Sequence, residues 1–131
     1  MPFGKGKTAP ATRDDLAAAN VTVLTQNGHE NKTYKLSGDE AFSFSEIAEI
    51  LSEVKGKKVS SQNISGKEYL DWHGGKNMPK QIPHFRLAWV RTMNDGDFEE
   101  TTGDLERLIG RKPTGFRDYV GSNYPPAQIE F

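Results

Sequence analysis

The pattern that most constrains this chain is a helix whose two ends and packing face are all specified by nearby residues. Ser43 and Glu46 have the spacing of a capping box, in which each side chain bonds to the backbone of the other residue. Gly56 can adopt the left-handed conformation that ends a helix. The pattern predicts a helix over 43–54 with one apolar face, formed by Phe44, Ile47, Ile50, Leu51 and Val54.

Other local patterns predict a helix-rich α/β fold. Further helices are expected to begin near Thr12, Ser65, His84, Thr102 and Thr114. Alternating residues predict a strand over 32–37 and a weaker strand over 57–64, and the helix between them favours parallel pairing. Because two strands are a poor sheet by themselves, the strand edge is expected to pair with another chain.

The termini differ in composition from the region between them. Residues 1–11 contain three Lys, two Gly and two Pro, which predicts a flexible arm. Residues 122–131 include Pro125-Pro126 and are interpreted as a tail. A single folded region over 12–121 is expected between them.

Composition excludes several classes of function. Seventeen basic and eighteen acidic side chains give a formal charge of −1, which does not suit a nucleic-acid-binding protein. The absence of cysteine excludes a disulfide, a thiol nucleophile and a thiolate metal site. Since no run of about 18 apolar residues is present, a cytoplasmic protein without a membrane partner is expected.

The sequence shows no recognisable cradle for a nucleotide phosphate. Gly4-Lys-Gly-Lys-Thr8 matches the end of a phosphate loop, but Met1 stands where the loop needs its first glycine. No G-x-G-x-x-G motif follows a predicted strand. The histidines show no metal-ligand spacing, so neither cofactor-binding residues nor metal ligands are predicted.

Four aromatic residues on two neighbouring predicted helices form the candidate substrate site. Aromatic walls suit a small, flat, apolar ligand, although the same residues also suit an ordinary core. His73 and His84 are the candidate general acid–base residues, because an imidazole titrates near neutral pH. The aromatic residues are Tyr69, Trp72, Phe85 and Trp89.

Several segments together resemble the NmrA-like atypical short-chain dehydrogenase/reductases. The resemblance is carried by Gly28-His-Glu-Asn-Lys-Thr-Tyr34, by the helix Phe44–Val54 and by Asp104-Leu-Glu-Arg-Leu-Ile-Gly-Arg-Lys-Pro113. It is similar to the C-terminal half of that family, and in particular to its triphenylmethane reductases and NAD(P)H:quinone oxidoreductases. The family's N-terminal Rossmann part, with its glycine-rich loop, has no counterpart in these 131 residues.

The resemblance implies the substrate-binding portion of an NAD(P)H-dependent reductase. It implies that this chain alone binds no cofactor and is not a self-sufficient reductase. Two alternatives stay open: a cofactor-independent isomerase or cyclase that uses the aromatic pocket, and a non-catalytic partner of a full-length relative. A homo-oligomer or a complex with a Rossmann-domain chain is expected.

Overall fold

A computed structural model describes residues 4–74 and 78–124. In chain order its elements are β1 (Lys7–Thr8), α1 (Arg13–Thr25), β2 (Phe42–Ser43), α2 (Phe44–Lys55), α3 (Gly66–Gly74), α4 (Gln81–Asn94), α5 (Asp104–Ile109) and α6 (Phe116–Asn123). None of the helices in these residues is long and apolar enough to cross a membrane. The helix-rich α/β fold with a small two-stranded sheet is confirmed.

The helix predicted from the capping box is confirmed as α2. Ser43 Oγ accepts from the Glu46 backbone N–H at 3.2 Å, and Glu46 Oε2 accepts from the Ser43 N–H at 2.7 Å. Gly56 ends the helix with φ of 65°, a value that disfavours side chains with a Cβ. Ala48 and Ile50 are buried on its packing face.

The sheet differs from the prediction in both residues and direction. β1 and β2 pair antiparallel, with Lys7 opposite Ser43 and Thr8 opposite Phe42. The prediction of a parallel sheet is therefore wrong for the described residues. β1 comes from the segment expected to be an arm, where the Gly6 N–H also donates to Asn94 Oδ1 at 3.0 Å.

Neither predicted strand is formed in the described residues. Residues 32–37 have an irregular backbone whose Lys35 N–H donates to Asp104 Oδ2 at 3.0 Å, so the segment bonds to a side chain and lacks a strand partner. Residues 57–64 are also irregular, and there the Val59 N–H donates to Ser52 Oγ at 2.8 Å. Both segments satisfy local donors without a ladder.

The core is divided among pairs of helices. α1 packs against α5, α2 against α6, and α3 against α4. Only small or medium side chains are buried in most of these contacts, apart from Tyr69 and Met93. The buried apolar residues are Ala19, Ala48, Ile50, Tyr69, Leu87, Val90, Met93, Leu105 and Val120.

Apolar side chains also remain exposed on two helices. On α1, Val21 and Leu24 are 59% and 84% exposed. On α4, Phe85 is 75% exposed, and Ile82 and Trp89 lie at positions three before and four after it, on the same face. Helices α1 and α4 therefore each present an apolar surface that the described residues leave open to solvent.

Candidate functional site

A buried carboxylate fixes the start of α1 against the segment that leads into α6. Asp15 is 1% exposed, and its Oδ2 accepts from the Thr114 backbone N–H at 2.6 Å. Its Oδ1 lies 2.5 Å from Arg111 Nη2. The capping motif predicted at Thr12 is only half formed, because Thr12 Oγ1 accepts from the Asp15 N–H while the carboxylate is used elsewhere.

The surroundings of Asp15 favour its charged form. Burial raises the pKa of this carboxyl, but the Thr114 N–H and the Arg111 guanidinium outweigh that effect and hold the pKa below its usual range. The anion is thus retained under a chain crossing that positions two adjoining clefts.

The two clefts lie on either side of residues Pro10, Thr114 and Phe116, which line both. The first has a volume of about 430 Å³ and is lined by charged residues of both signs, including Asp39, Lys112 and Arg117 among its walls. The second, of about 560 Å³, has an aromatic wall made by Phe116, Tyr119 and Tyr124.

The aromatic cleft combines flat rings with hydroxyl groups. The rings of Tyr119 and Tyr124 meet edge to face with centroids 6.2 Å apart. Phe116 is held from behind by Phe42, with centroids 5.8 Å apart. Thr12 and Thr114 line the same cleft. Such a wall can stack a flat ligand and donate hydrogen bonds to it, whereas no imidazole lines it for proton transfer.

The four aromatic residues expected from the sequence occupy different environments. Tyr69 is 1% exposed within the core, whereas Phe85 is 75% exposed on α4. Trp72 is 57% exposed and lines a separate cleft of about 380 Å³ with Gln62, Ile64 and Glu68. Trp89 is 38% exposed and its ring lies 5.8 Å from that of Phe98, measured between centroids. Substrate binding by these four residues stays a prediction.

The two candidate catalytic histidines are not joined in a site by the described residues. His84 is exposed in the first turns of α4 and lines none of the three clefts. The side chain of His73 lies outside the described part of the chain. The remaining histidine, His29, pairs with Tyr34 through an Nδ1–Oη contact of 2.7 Å. Catalysis by His73 or His84 therefore stays a prediction.

The sequence did contain a signal for the aromatic cleft. Phe116 and Tyr119 are three residues apart on α6 and thus share a helical face. Their cleft partners Pro10 and Thr12 are about a hundred residues away, so periodicity alone could not bring them together. Within 4–74 and 78–124, no cluster of His, Asp and Glu residues could hold a metal ion.

Comparison with known proteins gives a consistent group of oxidoreductases. The chain is 32% identical over 117 residues to Quinone oxidoreductase 2 of Escherichia coli, a match that covers 89% of this chain and 41% of that protein. It is 24% identical over 120 residues to an NmrA-like family domain-containing oxidoreductase of Aspergillus flavus, covering 88% of this chain and 38% of the relative. No family model matches the sequence.

Solved structures give the same result. The triphenylmethane reductase of Citrobacter sp., in complex with NADP(H), superposes with a TM-score of 0.85 at 37% identity. That superposition covers 93% of this chain and 43% of the reductase. The chain thus spans about two fifths of the length of the proteins it matches, and nearly all of this chain takes part in the match.

Proposed function

The homologues of this chain are NmrA-like oxidoreductases, of which it spans about two fifths, and we propose that it supplies the substrate-side part of an NAD(P)H-dependent reductase. The observation that carries the proposal is the match over 93% of this chain to a reductase whose structure contains NADP(H). The dinucleotide itself is expected to be held by polypeptide outside these 131 residues.

The described residues do not fit a dinucleotide cradle. The pyrophosphate of such a cofactor binds at a helix N-terminus, where free backbone N–H groups and the helix dipole attract negative charge. Here five helices carry carboxylates in their first turns, which compete for those N–H groups and repel phosphate. These carboxylates are Asp14 and Asp15 on α1, Glu46 on α2, Glu68 on α3, Asp104 and Glu106 on α5, and Asp118 on α6.

The exposed apolar faces support a role beside another structural unit. Leu24 on α1 and Phe85 on α4 are 84% and 75% exposed. Large apolar surfaces of this kind typically mark contact with another protein surface. A dinucleotide-binding unit that covers one of these faces would bring its cofactor next to a substrate held by this chain.

The substrate class proposed is a flat, apolar electron acceptor. Quinone oxidoreductase and triphenylmethane reductase, by their names, act on flat conjugated molecules. The aromatic wall of Phe116, Tyr119 and Tyr124 offers stacking surfaces of that shape. In this arrangement the chain binds and orients the acceptor and takes no part in holding the pyrophosphate.

A titration with NADPH tests the proposal directly. Trp72 and Trp89 report binding by fluorescence, and we expect no saturable change at micromolar NADPH with this chain alone. Adding the remaining, dinucleotide-binding part of E. coli Quinone oxidoreductase 2 as a separate polypeptide should give NADPH-dependent quinone reduction above that of either part. Tight binding of one NADPH per isolated chain would overturn the proposal.

A pair of variants tests the role of the apolar face in the same assay. Phe85→Ser removes the most exposed ring of α4, and it should reduce the complemented activity several-fold without lowering the melting temperature. Arg86→Ser, an exposed neighbour on the same helix, is the matched control and should leave the activity unchanged. Equal behaviour of the two variants would argue against docking through this face.

A further inference from the structure

Residues 32–37 are bonded along one edge only. The Lys35 N–H donates to Asp104 Oδ2 at 3.0 Å, and the Lys35 carbonyl accepts from Thr102 Oγ1 at 2.6 Å. Ser37 Oγ accepts from the Thr102 N–H at 3.4 Å. In an extended chain the N–H and C=O groups of one residue point to the same side, and those of its neighbours to the other. Residues 102–104 therefore occupy the edge to which Lys35 points.

The opposite edge is open. Within 4–74 and 78–124, the backbone N–H and C=O groups of Tyr34 and Leu36 form no hydrogen bond. They flank Lys35 on both sides and so form a two-residue ladder without a partner strand. Exposed ladders of this kind are templates for another strand. The Tyr34 ring is meanwhile anchored by His29, which fixes the neighbouring backbone.

We propose that this edge pairs antiparallel with the same edge of a second copy of the chain, around a two-fold axis through Lys35. Tyr34 of each copy stands opposite Leu36 of the other, and in an antiparallel ladder such a pair exchanges both N–H···O=C bonds. The two symmetric pairs form four hydrogen bonds, which use every open group of the edge. The inference goes beyond the proposed function and does not depend on it.

Charge also fits a second copy. The axis places two Lys35 residues opposite each other, and like charges at such positions destabilise a sheet. Each Lys35 Nζ, however, lies 2.6 Å from Glu100 Oε2 of its own chain. The pair of copies thus forms a cluster of two cations and two anions, with no net charge across the axis.

Sedimentation and amide hydrogen exchange test the pairing. We expect reversible dimerisation between micromolar and submillimolar concentration, because the contact is small. As the dimer fills, exchange at the Tyr34 and Leu36 amides should slow, whereas the Lys35 amide, already bonded to Asp104, should not change. A monomer throughout this range, or a dimer in which these two amides are not slowed, would overturn the proposal.

Variants on the edge and beside it provide controls. Leu36→Pro removes one donor per copy, and thus two of the four bonds, and should weaken association about tenfold or more. Leu36→Ala keeps the N–H and should dimerise like the parent chain. Glu100→Gln should weaken dimerisation several-fold, while Glu99→Gln, its exposed neighbour, should not.

The melting temperature of each variant separates loss of pairing from loss of fold. If Leu36→Pro does not fold, the exchange pattern of the parent chain and the Glu100→Gln result decide the question. Protection of Tyr34 and Leu36 only after a dinucleotide-binding polypeptide is added would assign the edge to that partner and contradict self-pairing.

Discussion

Asp15 Oδ2 accepts a hydrogen bond from the backbone N–H of Thr114 at 2.6 Å, joining residues 99 positions apart in the chain. The carboxylate sits in the first turn of α1, and the amide sits just before α6. Because Thr114 also lines both clefts, this bond sets the position of the cleft walls relative to α1.

Removal of the Asp15 carboxylate should destabilise the fold. Asp15→Ala leaves the Thr114 N–H without its partner and the Arg111 guanidinium without its anion, and we expect a loss of about 2–4 kcal/mol in unfolding free energy. Asp15→Asn can still accept from Thr114 and should lose less. Urea unfolding gives both values. Asp14→Asn, exposed one residue earlier, is the control and should change stability little.

The same carboxylate predicts how stability depends on pH. Its pKa is lowered in the folded protein, so its contribution is complete above the unfolded value of about 3.9 and is lost as pH falls through the folded pKa. The difference in unfolding free energy between the parent chain and Asp15→Asn should therefore be constant near neutral pH and shrink in acid. A difference that grows on acidification would contradict this assignment.

Elements whose signals are local could be predicted from the sequence. The capping boxes at Ser43 and Ser65 both formed, since each needs only residues three apart in the chain. The half-formed box at Thr12 shows the limit, because Asp15 was recruited by Arg111 and Thr114 from the far end of the chain. No pattern within one turn of helix carries that information.

The sheet and the clefts depended on distant partners. Alternation at 32–37 suits a strand, but no pairing strand is present in the described residues, so its donors turn to Thr102 and Asp104. β1 and β2 have two residues each, which is too short for any periodicity to reveal. The aromatic cleft likewise joins α6 to residues near the other end of the chain.

The cap of α2 gives a prediction about a single side-chain atom. Ser43→Ala removes the Oγ that accepts from the Glu46 N–H and should lower the unfolding free energy by about 1 kcal/mol. Ser45→Ala, an exposed position in the first turn of the same helix, should be neutral or slightly stabilising. Thermal unfolding followed by circular dichroism measures both. Equal losses in the two variants would show that the cap contributes no stability.

The last prediction compares two glycines with opposite surroundings. A Cβ built on buried Gly38 would lie 2.1 Å from the carbonyl oxygen of Pro10, a backbone atom that cannot move aside without disturbing the bond from the Gly38 N–H to the Ala9 carbonyl. Gly38→Ala should therefore destabilise the chain by about 1–3 kcal/mol, in the range of strained overpacking.

Gly121 provides the matched substitution. It lies within α6, and nothing comes within 4 Å of a Cβ built there. Gly121→Ala should stabilise the chain by up to about 1 kcal/mol, because alanine loses less backbone entropy in a helix. Since Pro10 lines both clefts, Gly38→Ala should also weaken the binding of a flat ligand such as a quinone, whereas Gly121→Ala should not. A Gly38→Ala variant as stable as the parent would show that the segment carrying Pro10 yields easily, and would remove the basis for treating it as a fixed wall.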